Sequence, residues 1–476
     1  MIKGKHGCGT GFELGPKAIA VLLLLLLLAH IKIKGDLQLG STLTHALLIW
    51  LMGSLLGVSL CAAQSRVVPY QDYPFLDPEQ NYVGNHVRGM KHFYRQLSRL
   101  EAGRQRTINV VHIGDSHIQA DWFSGEVRRL MQRRFGTAGR GLVFPYALAR
   151  TNSPGDIHTT SNVSWHIDRV ISANNQLPIG LSGITLRTYR PDFSLKLQVD
   201  DAPGLDYRFN KVTVFTGSDP DHYDLLASTE PIAMEPLRDA LGEGPVTAVA
   251  RTPGGNDLFP ITLAARSINH YTSTIYLPEL THHIYLQAWP DLPQQRQATL
   301  YGLVLENFNA SGILYHTIGV NSAQYRHYAE ADIFAEQLQA LAPDLVIISL
   351  GTNESVGYFS EKRFFQQVDD LVNDIETYLP HTAIVFTTPP DAYYRGRLNA
   401  NVNLCRKVLL DYAFDNDLAC WDLYAVMGGT NSVDQWYQAG LAGRDRLHFT
   451  KSGYELQGQL LFEAIMKGYA TYLSAR

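Results

Sequence analysis

The stretch from Thr107 to Ser116 reads TINVVHIGDS, and it decides the fold class. Its first seven residues are rich in β-branched side chains and the run stops at Gly114, which is typical of a short buried strand. From Asp121 to Phe135 the apolar residues then recur with helical spacing. Ser116 therefore lies where a strand passes into a helix.

The same alternation of strand and helix returns late in the chain. The near-continuous apolar run Asp344–Leu350 favours a strand of a parallel sheet that is covered on both faces. Ser452 and Glu455 have the spacing of a capping box at the start of the last helix. Five strands alternating with helices predict a three-layer α/β sandwich with a five-stranded parallel sheet. The other predicted strands are 312–319, 382–388 and 418–423, and the other predicted helices are 86–100, 328–341, 362–378, 400–414 and 452–472.

Residues 152–309 interrupt this pattern. Phe193–Val199, Lys211–Phe215 and Thr272–Leu277 alternate apolar and polar residues with a period of two, and Gly, Pro, Asn and Asp punctuate the segment. We predict an inserted all-β sandwich domain here. The alternative is a set of loops and hairpins on the α/β domain, but a segment of this length without a helix is too long for that.

The N-terminal residues 1–63 contain two apolar stretches, Ala18–Ala29 and Ala46–Ala63. The second stretch ends in Cys-Ala-Ala before Gln64, with small residues where a signal peptidase cleaves, so we predict an export signal. The alternative is an uncleaved membrane anchor, because about 18 apolar residues can just span a bilayer. The predicted organisation is this signal segment, then an α/β domain formed by 64–151 and 310–476 around the β insertion.

Composition excludes some classes of function. The 476 residues carry a net charge of −5 without a long basic run, so nucleic acid is not an expected partner. Cys405 and Cys420 lack the paired spacing of a zinc site, and they either form a disulfide in an exported protein or are small buried hydrophobes. The pair His282–His283 fits a loop or a strand edge better than a metal site. No metal and no cofactor are expected.

Three short segments carry the candidate chemistry: Ile113–His117, Leu350–Glu354 and Asp445–His448. Each pattern is weak alone, since Gly and Asp favour turns and an isolated Asp-x-x-His is more often a surface pair. In an open α/β sheet, however, functional groups gather at the carboxyl ends of the strands. The placement of these segments after strands or before the last helix predicts that they meet at one edge.

A hydroxyl needs a base, a group that orients the base, and donors for the oxyanion before it can act as a nucleophile at neutral pH. Ser116 is the candidate nucleophile, His448 the base, and Asp445 the group that holds the imidazole tautomer. The backbone N–H of Ser116 and the side-chain amide of Asn353 are the candidate oxyanion donors.

In this order, the three segments resemble blocks I, III and V of the SGNH (GDSL-type) hydrolases. The resemblance implies a flavodoxin-like SGNH fold, with Ser116 as nucleophile, Asn353 as oxyanion amide, and Asp445 and His448 as the other members of the triad. In the closest subgroup, block II ends Gly-Val-Asn-Gly-Ala, so Ser322 stands where an oxyanion glycine is expected and still offers a backbone N–H. Asp115 and Gly319 are then supporting residues.

That subgroup is the bacterial peptidoglycan O-acetylesterases with an inserted carbohydrate-binding-module-like β domain. The Gly-Asp-Ser-His form of block I, the Gly-Thr-Asn-Glu string, His448–Thr450 before Gly453-Tyr454, and Tyr301–Asn307 are similar to it. The resemblance implies an exported serine esterase of the periplasm or cell envelope that removes O-acetyl groups from peptidoglycan or a related polysaccharide through an acyl-enzyme.

Two alternatives stay open from sequence. The same triad serves an O-acetyltransferase that moves an acetyl group onto a glycan, and a vestigial triad would leave a non-catalytic glycan-binding envelope protein. Four aromatic residues of the insertion would either stack on sugar rings or belong to its core: Trp165, Tyr189, Tyr207 and Trp289.

Overall fold

The computed structural model describes residues 68–230, 247–251, 258–263, 265–267, 271–290 and 292–476. The predicted signal segment 1–63 lies outside the described residues. Across the described ranges, no helix combines the length and the apolar character that a membrane span needs.

Eleven α-helices are present in the described part of the chain. They are α1 His86–Gly89, α2 Lys91–Glu101, α3 Ser116–Gln119, α4 Trp122–Phe135, α5 Tyr325–Ala329, α6 Phe334–Gln339, α7 Glu361–Tyr378, α8 Asn401–Asp415, α9 Leu423–Val426, α10 Ser432–Gln438 and α11 Lys451–Ser474.

The strands fall into two groups: those of the α/β region, and those that lie in sequence between the early and the late part of that region. They are β1 Val83–Gly84, β2 Thr107–Gly114, β3 Gly141–Val143, β4 Ile157–Ser161, β5 His166–Arg169, β6 Ile184–Thr188, β7 Ser194–Val199, β8 Phe209–Thr216, β9 Asp224–Ser228, β10 Thr247–Arg251, β11 Leu258–Leu263, β12 Ala265–Ser267, β13 Thr272–Thr281, β14 His283–Trp289, β15 Ala298–Glu306, β16 Gly312–Gly319, β17 Leu345–Ser349, β18 Ala383–Thr387, β19 Tyr393–Tyr394, β20 Arg397–Leu398 and β21 Ala419–Trp421.

The α/β region is built on a six-stranded sheet with the order β1-β21-β18-β17-β2-β16. Strands β21, β18, β17, β2 and β16 are parallel, and the two-residue β1 pairs antiparallel at the edge. The α/β class predicted from sequence is confirmed. Because β2 pairs with both β16 and β17, the turn that follows it lies between the ends of two neighbouring strands.

Helices cover both faces of this sheet. Alternate residues of β2 face its opposite sides and therefore enter different cores. Val110 belongs to the core formed with α2, α4 and α11, whereas Val111 belongs to the core formed with α7 and α8. A sheet buried on both faces explains the near-continuous apolar run in β17 that the sequence analysis used.

Between β3 and β16 the chain forms two antiparallel sheets, with the orders β10-β11-β9-β14-β7-β4 and β12-β13-β8-β15-β6-β5. Alternating residues of β7 and β8, such as Leu195 and Val212, enter one apolar core that also contains Val111 of the parallel sheet. Strand β3 pairs with β15 although it precedes residue 152. The limits 152–309 therefore remain a prediction of domain boundaries, since the core is continuous across them.

Two of the four aromatic residues considered as sugar platforms are core residues. Trp165 is 8% exposed and packs edge-on against Phe193, and Tyr207 is fully buried. Tyr189 is exposed and Trp289 is half-buried.

Helix boundaries near turns differ from the sequence prediction in two places. The helix predicted at 328–341 is two short helices, α5 and α6, and Asp332 in the segment between them accepts the N–H of Ile179 through its carboxylate. The helix predicted at 86–100 is likewise interrupted at Met90, between α1 and α2.

The capping box predicted at Ser452 is also wrong. Helix α11 begins at Lys451, and the side chain of Thr450, rather than Ser452, accepts the N–H of Gly453 at 3.2 Å. The position three residues before Gly453 is the one whose oxygen reaches an unpaired N–H of the first turn.

Cys405 and Cys420 are free thiols, both buried in the apolar core. The disulfide alternative is therefore wrong, and the interpretation as small buried hydrophobes is confirmed. Burial raises the pKa of both thiols well above the ordinary range.

Replacing Thr450 and Ser452 separately tests the corrected cap. Thr450→Val should lower the free energy of unfolding by about 1 to 2 kcal/mol because α11 loses its capping oxygen. Ser452→Ala, at an exposed position, should change it by less than about 0.5 kcal/mol. Urea unfolding followed by circular dichroism measures both, and a larger loss in the serine variant would contradict the assignment.

Candidate active site

The turn after β2 places Ser116 at the first position of α3. Asp115 is the N-cap of this helix, and its Oδ1 accepts the N–H of His117 at 3.0 Å. A cap of this kind fixes where the helix begins. Ser116 is half-buried at the end of a central strand, as the sequence predicted.

The structure brings the three predicted triad side chains together. Ser116 Oγ lies 3.2 Å from His448 Nε2, and His448 Nδ1 lies 2.8 Å from Asp445 Oδ2. Since the carboxylate accepts the Nδ1 proton, Nε2 is left unprotonated and able to accept the proton of the serine hydroxyl. About half of the His448 and Asp445 side chains is exposed, 46% and 52%, so the triad lies at the surface of the protein.

Hydrogen bonds keep Asp445 in its charged form. Its Oδ1 accepts the backbone N–H groups of Leu447 and His448, each at 3.1 Å. Partial burial raises the pKa of Asp445, but the hydrogen bond from His448 and these two N–H groups outweigh it and hold the pKa below its usual value.

Arg446 anchors the loop that carries Asp445 and His448. Its guanidinium lies 4.5 Å from the ring centre of Tyr437 and 5.3 Å from that of Tyr393, and its Nε is paired with Asp434. Its carbonyl also accepts the N–H of Tyr393 at 2.8 Å. The loop is thus fixed between two aromatic rings and a carboxylate, although nothing in the sequence analysis pointed to Arg446.

Asn353 joins the three segments that follow β2, β16 and β17. Its Nδ2 donates to Asp115 Oδ2 at 2.8 Å and to the carbonyl of Ala323 at 3.0 Å. Both amide hydrogens therefore have partners within the protein. For Asn353 to donate to an oxyanion, a bound acyl group must replace one of these two acceptors.

Ser322 takes the backbone conformation that favours glycine. Its φ is +67°, in the left-handed region, and the residue is exposed in the turn beside Ala323. This explains why glycine suits the position and why a serine there is tolerated at a cost of about 1 kcal/mol. The structure places Ser322 one residue from the carbonyl that Asn353 binds.

Gly319 permits a close approach between the end of β16 and helix α3. A Cβ at this position would lie 2.5 Å from the backbone nitrogen of Gln119. Gln119 also accepts the N–H of Asn321 through its Oε1 at 2.7 Å. The turn that carries Ser322 is therefore held against the helix that carries Ser116.

Two buried carboxyl groups lie under the site. Burial raises the pKa of Asp115 to about 7 although the His117 N–H and the Asn353 amide oppose the shift. Burial likewise raises the pKa of Glu354 to about 7, against hydrogen bonds from the N–H groups of Tyr325 and Gly351.

His117 is a site residue to which the sequence analysis gave no role. Its ring is stacked on that of His448, with ring centres 5.6 Å apart and planes 27° apart, and its Nδ1 lies 2.9 Å from the hydroxyl of Tyr454. Burial first, and then the charge of His448, lowers the pKa of His117 to about 3. A neutral ring therefore covers one face of His448. Its only signal in the sequence is its place directly after Ser116.

Elsewhere, His282 is paired with Asp201 at 3.1 Å, and possible ligand atoms of Asp201, Asp206 and His282 lie within 4.8 Å of one another. These side chains are largely exposed, and exposed acidic groups often gather without an ion, so we assign no metal to them.

Residues 278–456 match the model of the GDSL-like lipase/acylhydrolase family. This part of the chain is therefore similar to the GDSL-type acylhydrolases. The recognition of this family from its sequence blocks is confirmed, and so is an enzyme of the esterase class. The matched segment contains Asn353, Asp445 and His448, whereas Ser116 lies before it, across the β insertion.

The solved structure of a peptidoglycan O-acetylesterase is similar to this chain, with a TM-score of 0.61, 20% sequence identity, and coverage of 80% of this chain and 96% of that chain. A lipase/acylhydrolase from Enterococcus faecalis is 20% identical and covers 33% of this chain and 77% of that chain, with a TM-score of 0.28. An acetyl-xylooligosaccharide esterase from Geobacillus stearothermophilus is 18% identical over 33% of this chain and 73% of that chain, with a TM-score of 0.27. Among curated proteins, none matches the chain.

The contacts of Arg446 predict a kinetic effect without loss of the catalytic groups. Arg446→Met should lower kcat for a small acetyl ester about tenfold, with KM nearly unchanged, because the Asp445–His448 loop loses its anchor. Tyr437→Phe keeps the aromatic face and should retain wild-type kcat within about twofold. Steady-state kinetics on both variants is the measurement, and wild-type kcat in Arg446→Met would contradict the role.

The raised pKa values of Asp115 and Glu354 predict a pH-dependent stability. In the unfolded chain these carboxyls lose their protons near pH 4, whereas in the folded protein they do so near pH 7. Their contribution to stability is therefore complete below about pH 4 and is lost as the pH rises through about 7. Urea unfolding at pH 5 and pH 8 should show a smaller drop in Glu354→Gln than in the wild type, and equal drops would show that Glu354 does not titrate in this range.

Proposed function

We propose that this protein is a serine esterase that removes O-acetyl groups from peptidoglycan or a related envelope polysaccharide. The observation that carries the proposal is the continuous contact from Ser116 Oγ through the His448 ring to Asp445, at 3.2 and 2.8 Å. That arrangement is the one that activates a hydroxyl for acyl transfer.

In the proposed reaction, Ser116 Oγ attacks the acetyl carbonyl while its proton passes to His448 Nε2. The Asp445 carboxylate stabilises the resulting imidazolium without taking its proton. The tetrahedral intermediate collapses when the sugar oxygen leaves with the proton from His448, which leaves an acetyl group on Ser116. Water, activated by His448 in the same way, then releases acetate.

The oxyanion of this intermediate requires donors at the turn after β2. The backbone N–H groups of Ser116 and Ser322 and the Asn353 amide are the proposed ones. Ser322 contributes only its backbone, so its side chain does not prevent the role. Asn353 would exchange its bond to Asp115 or to Ala323 for the oxyanion, which makes this hydrogen bond stronger in the transition state than in the free enzyme.

The choice of an O-acetylated glycan rests on three features that agree. The N-terminal sequence predicts export to the periplasm or envelope, with a membrane tether as the alternative to cleavage. The half-exposed triad suits an acyl group presented at the surface of a polymer. The similar structure that covers 80% of this chain is a peptidoglycan O-acetylesterase.

Ser116→Ala should abolish release of acetate from O-acetylated peptidoglycan, because within the described residues Ser116 supplies the hydroxyl that contacts His448 Nε2. The circular dichroism spectrum and unfolding midpoint should match those of the wild type, since the serine is half-buried at the surface. Acetate release at the wild-type rate in this variant would end the proposal.

Asn353→Ala should lower kcat about a hundredfold to a thousandfold, the usual loss for one oxyanion donor. An unchanged kcat in Asn353→Ala would remove this residue from the site.

A separate assay of the wild-type protein distinguishes hydrolysis from transfer. Acetate release is measured with water as the only acceptor and again with an added glycan. Release that needs no added glycan agrees with an esterase, whereas transfer of the acetyl group only to the glycan would identify a transferase.

A further inference from the structure

A cavity of about 200 Å³ lies beside the loop that carries Asn353. The loop that follows β17, the turn that follows β16 and the first turns of α7 form its walls. Its lining includes Gln324, Arg326, Glu354, Tyr358 and Arg363. None of them belongs to the triad.

The cavity has more available positive than negative charge. Arg363 is exposed, and no carboxylate of the described chain pairs with its guanidinium. Arg326 has one distant partner, Glu330 at 4.0 Å, and both side chains are exposed enough that such a pair contributes little. Glu354, in the wall, is buried, and its two oxygens already accept backbone N–H groups. Two guanidinium groups are therefore available to an anion from solution.

Tyr358 adds an aromatic surface to this wall. At 92% exposure it has the largest exposed fraction of the large hydrophobic side chains whose burial the structure describes. It therefore contributes almost nothing to the core. An exposed tyrosine presents an apolar face and a polar tip, which suits contact with the face of a sugar ring.

One side chain connects the cavity to the candidate oxyanion residue. Gln324 Nε2 donates to the carbonyl of Asn353 at 3.1 Å, and Gln324 Oε1 accepts from Arg326 Nε at 2.9 Å. Arg326 is thus oriented by the same glutamine that holds the Asn353 backbone. Arg326 is therefore separated from the backbone of the candidate oxyanion residue by a single side chain.

We propose that this cavity binds a carboxylate carried by the glycan close to the O-acetylated sugar, with Arg326 and Arg363 donating to the carboxylate and Tyr358 packing on a sugar ring. The inference rests on the proposed function and narrows it to acidic O-acetylated glycans. In peptidoglycan, free carboxylates occur on the stem peptides, and on the lactyl ethers of the sugars wherever the stem peptide has been removed. A neutral acetylated polysaccharide offers no such group.

The kinetic test uses the double variant Arg326→Gln/Arg363→Gln with three substrates: O-acetylated peptidoglycan, the same material with its carboxyl groups amidated, and 4-nitrophenyl acetate. On untreated peptidoglycan KM should rise about tenfold to a hundredfold, since each lost hydrogen bond is charge-assisted. On the other two substrates the double variant should equal the wild type. A further substrate, peptidoglycan stripped of its peptides by an amidase, shows whether the arginines bind the lactyl carboxylate or the peptide carboxylates.

Arg104→Gln is the matched control, because Arg104 is exposed and precedes β2 at the opposite edge of the sheet from the site. This variant should leave all three KM values unchanged. If it raised KM for peptidoglycan as much as the double variant does, the effect would be due to the net charge of the protein and not to the cavity. An equal loss on 4-nitrophenyl acetate in the double variant would overturn the proposal, because it would mean that the arginines act only through Asn353.

A binding measurement makes the inference independent of turnover. Ser116→Ala protein is titrated calorimetrically with soluble peptidoglycan fragments, before and after amidation of their carboxyl groups. The cavity proposal predicts tighter binding of the acidic fragments, lost when Arg326→Gln/Arg363→Gln is added. Equal affinity for both kinds of fragment would contradict the proposed carboxylate site, whatever the enzyme hydrolyses. If acidic fragments bind more tightly but the wild-type protein releases no acetate, only the proposed esterase activity is contradicted.

Discussion

One partly buried hydrogen bond, from the Asn353 amide to the Asp115 carboxylate, holds together segments that are far apart in the chain. Asp115 caps the helix that begins with Ser116, and Asn353 also binds the carbonyl of Ala323 beside Ser322. The ends of β2, β16 and β17 are joined through this contact. Because Asp115 is buried, the contact is protected from water, and burial rather than the amide decides the direction of its pKa shift. The start of the helix that carries Ser116 is held in place by this contact.

The surroundings of the triad differ from residue to residue in a way that suits proton transfer. His117 is kept neutral by burial and covers one face of His448, while Asp445 is kept charged by hydrogen bonds at the surface. Arg446 fixes the loop from the other side, between two aromatic rings. The imidazole is thereby confined in a site that solvent can reach, which is compatible with an ester on a bulky polymer.

The sequence predicted most of the α/β fold and the three side chains, Ser116, His448 and Asp445, that the structure brings into contact, because both depend on local signals. Buried strands read as apolar runs, and parallel strands bring their carboxyl ends to one edge. The failures depend on distant contacts. The segment between α5 and α6 is held to Ile179 by Asp332, and the roles of His117 and Arg446 come from rings packed against them in the fold. The cap at Thr450 was missed because Ser452 offers an equally plausible local pattern.

The central claim is that His448 and Asp445 activate the Ser116 hydroxyl, and covalent labelling tests it most directly. The protein is treated with a fluorophosphonate, which reacts with activated serines, and the modified peptide is identified by mass spectrometry. The predicted result is a single adduct on Ser116. In His448→Ala this adduct should form at least about a thousandfold more slowly, on the order of the loss expected when a triad member is removed. An adduct on another residue, or labelling of Ser116 at the same rate in both proteins, would contradict the account.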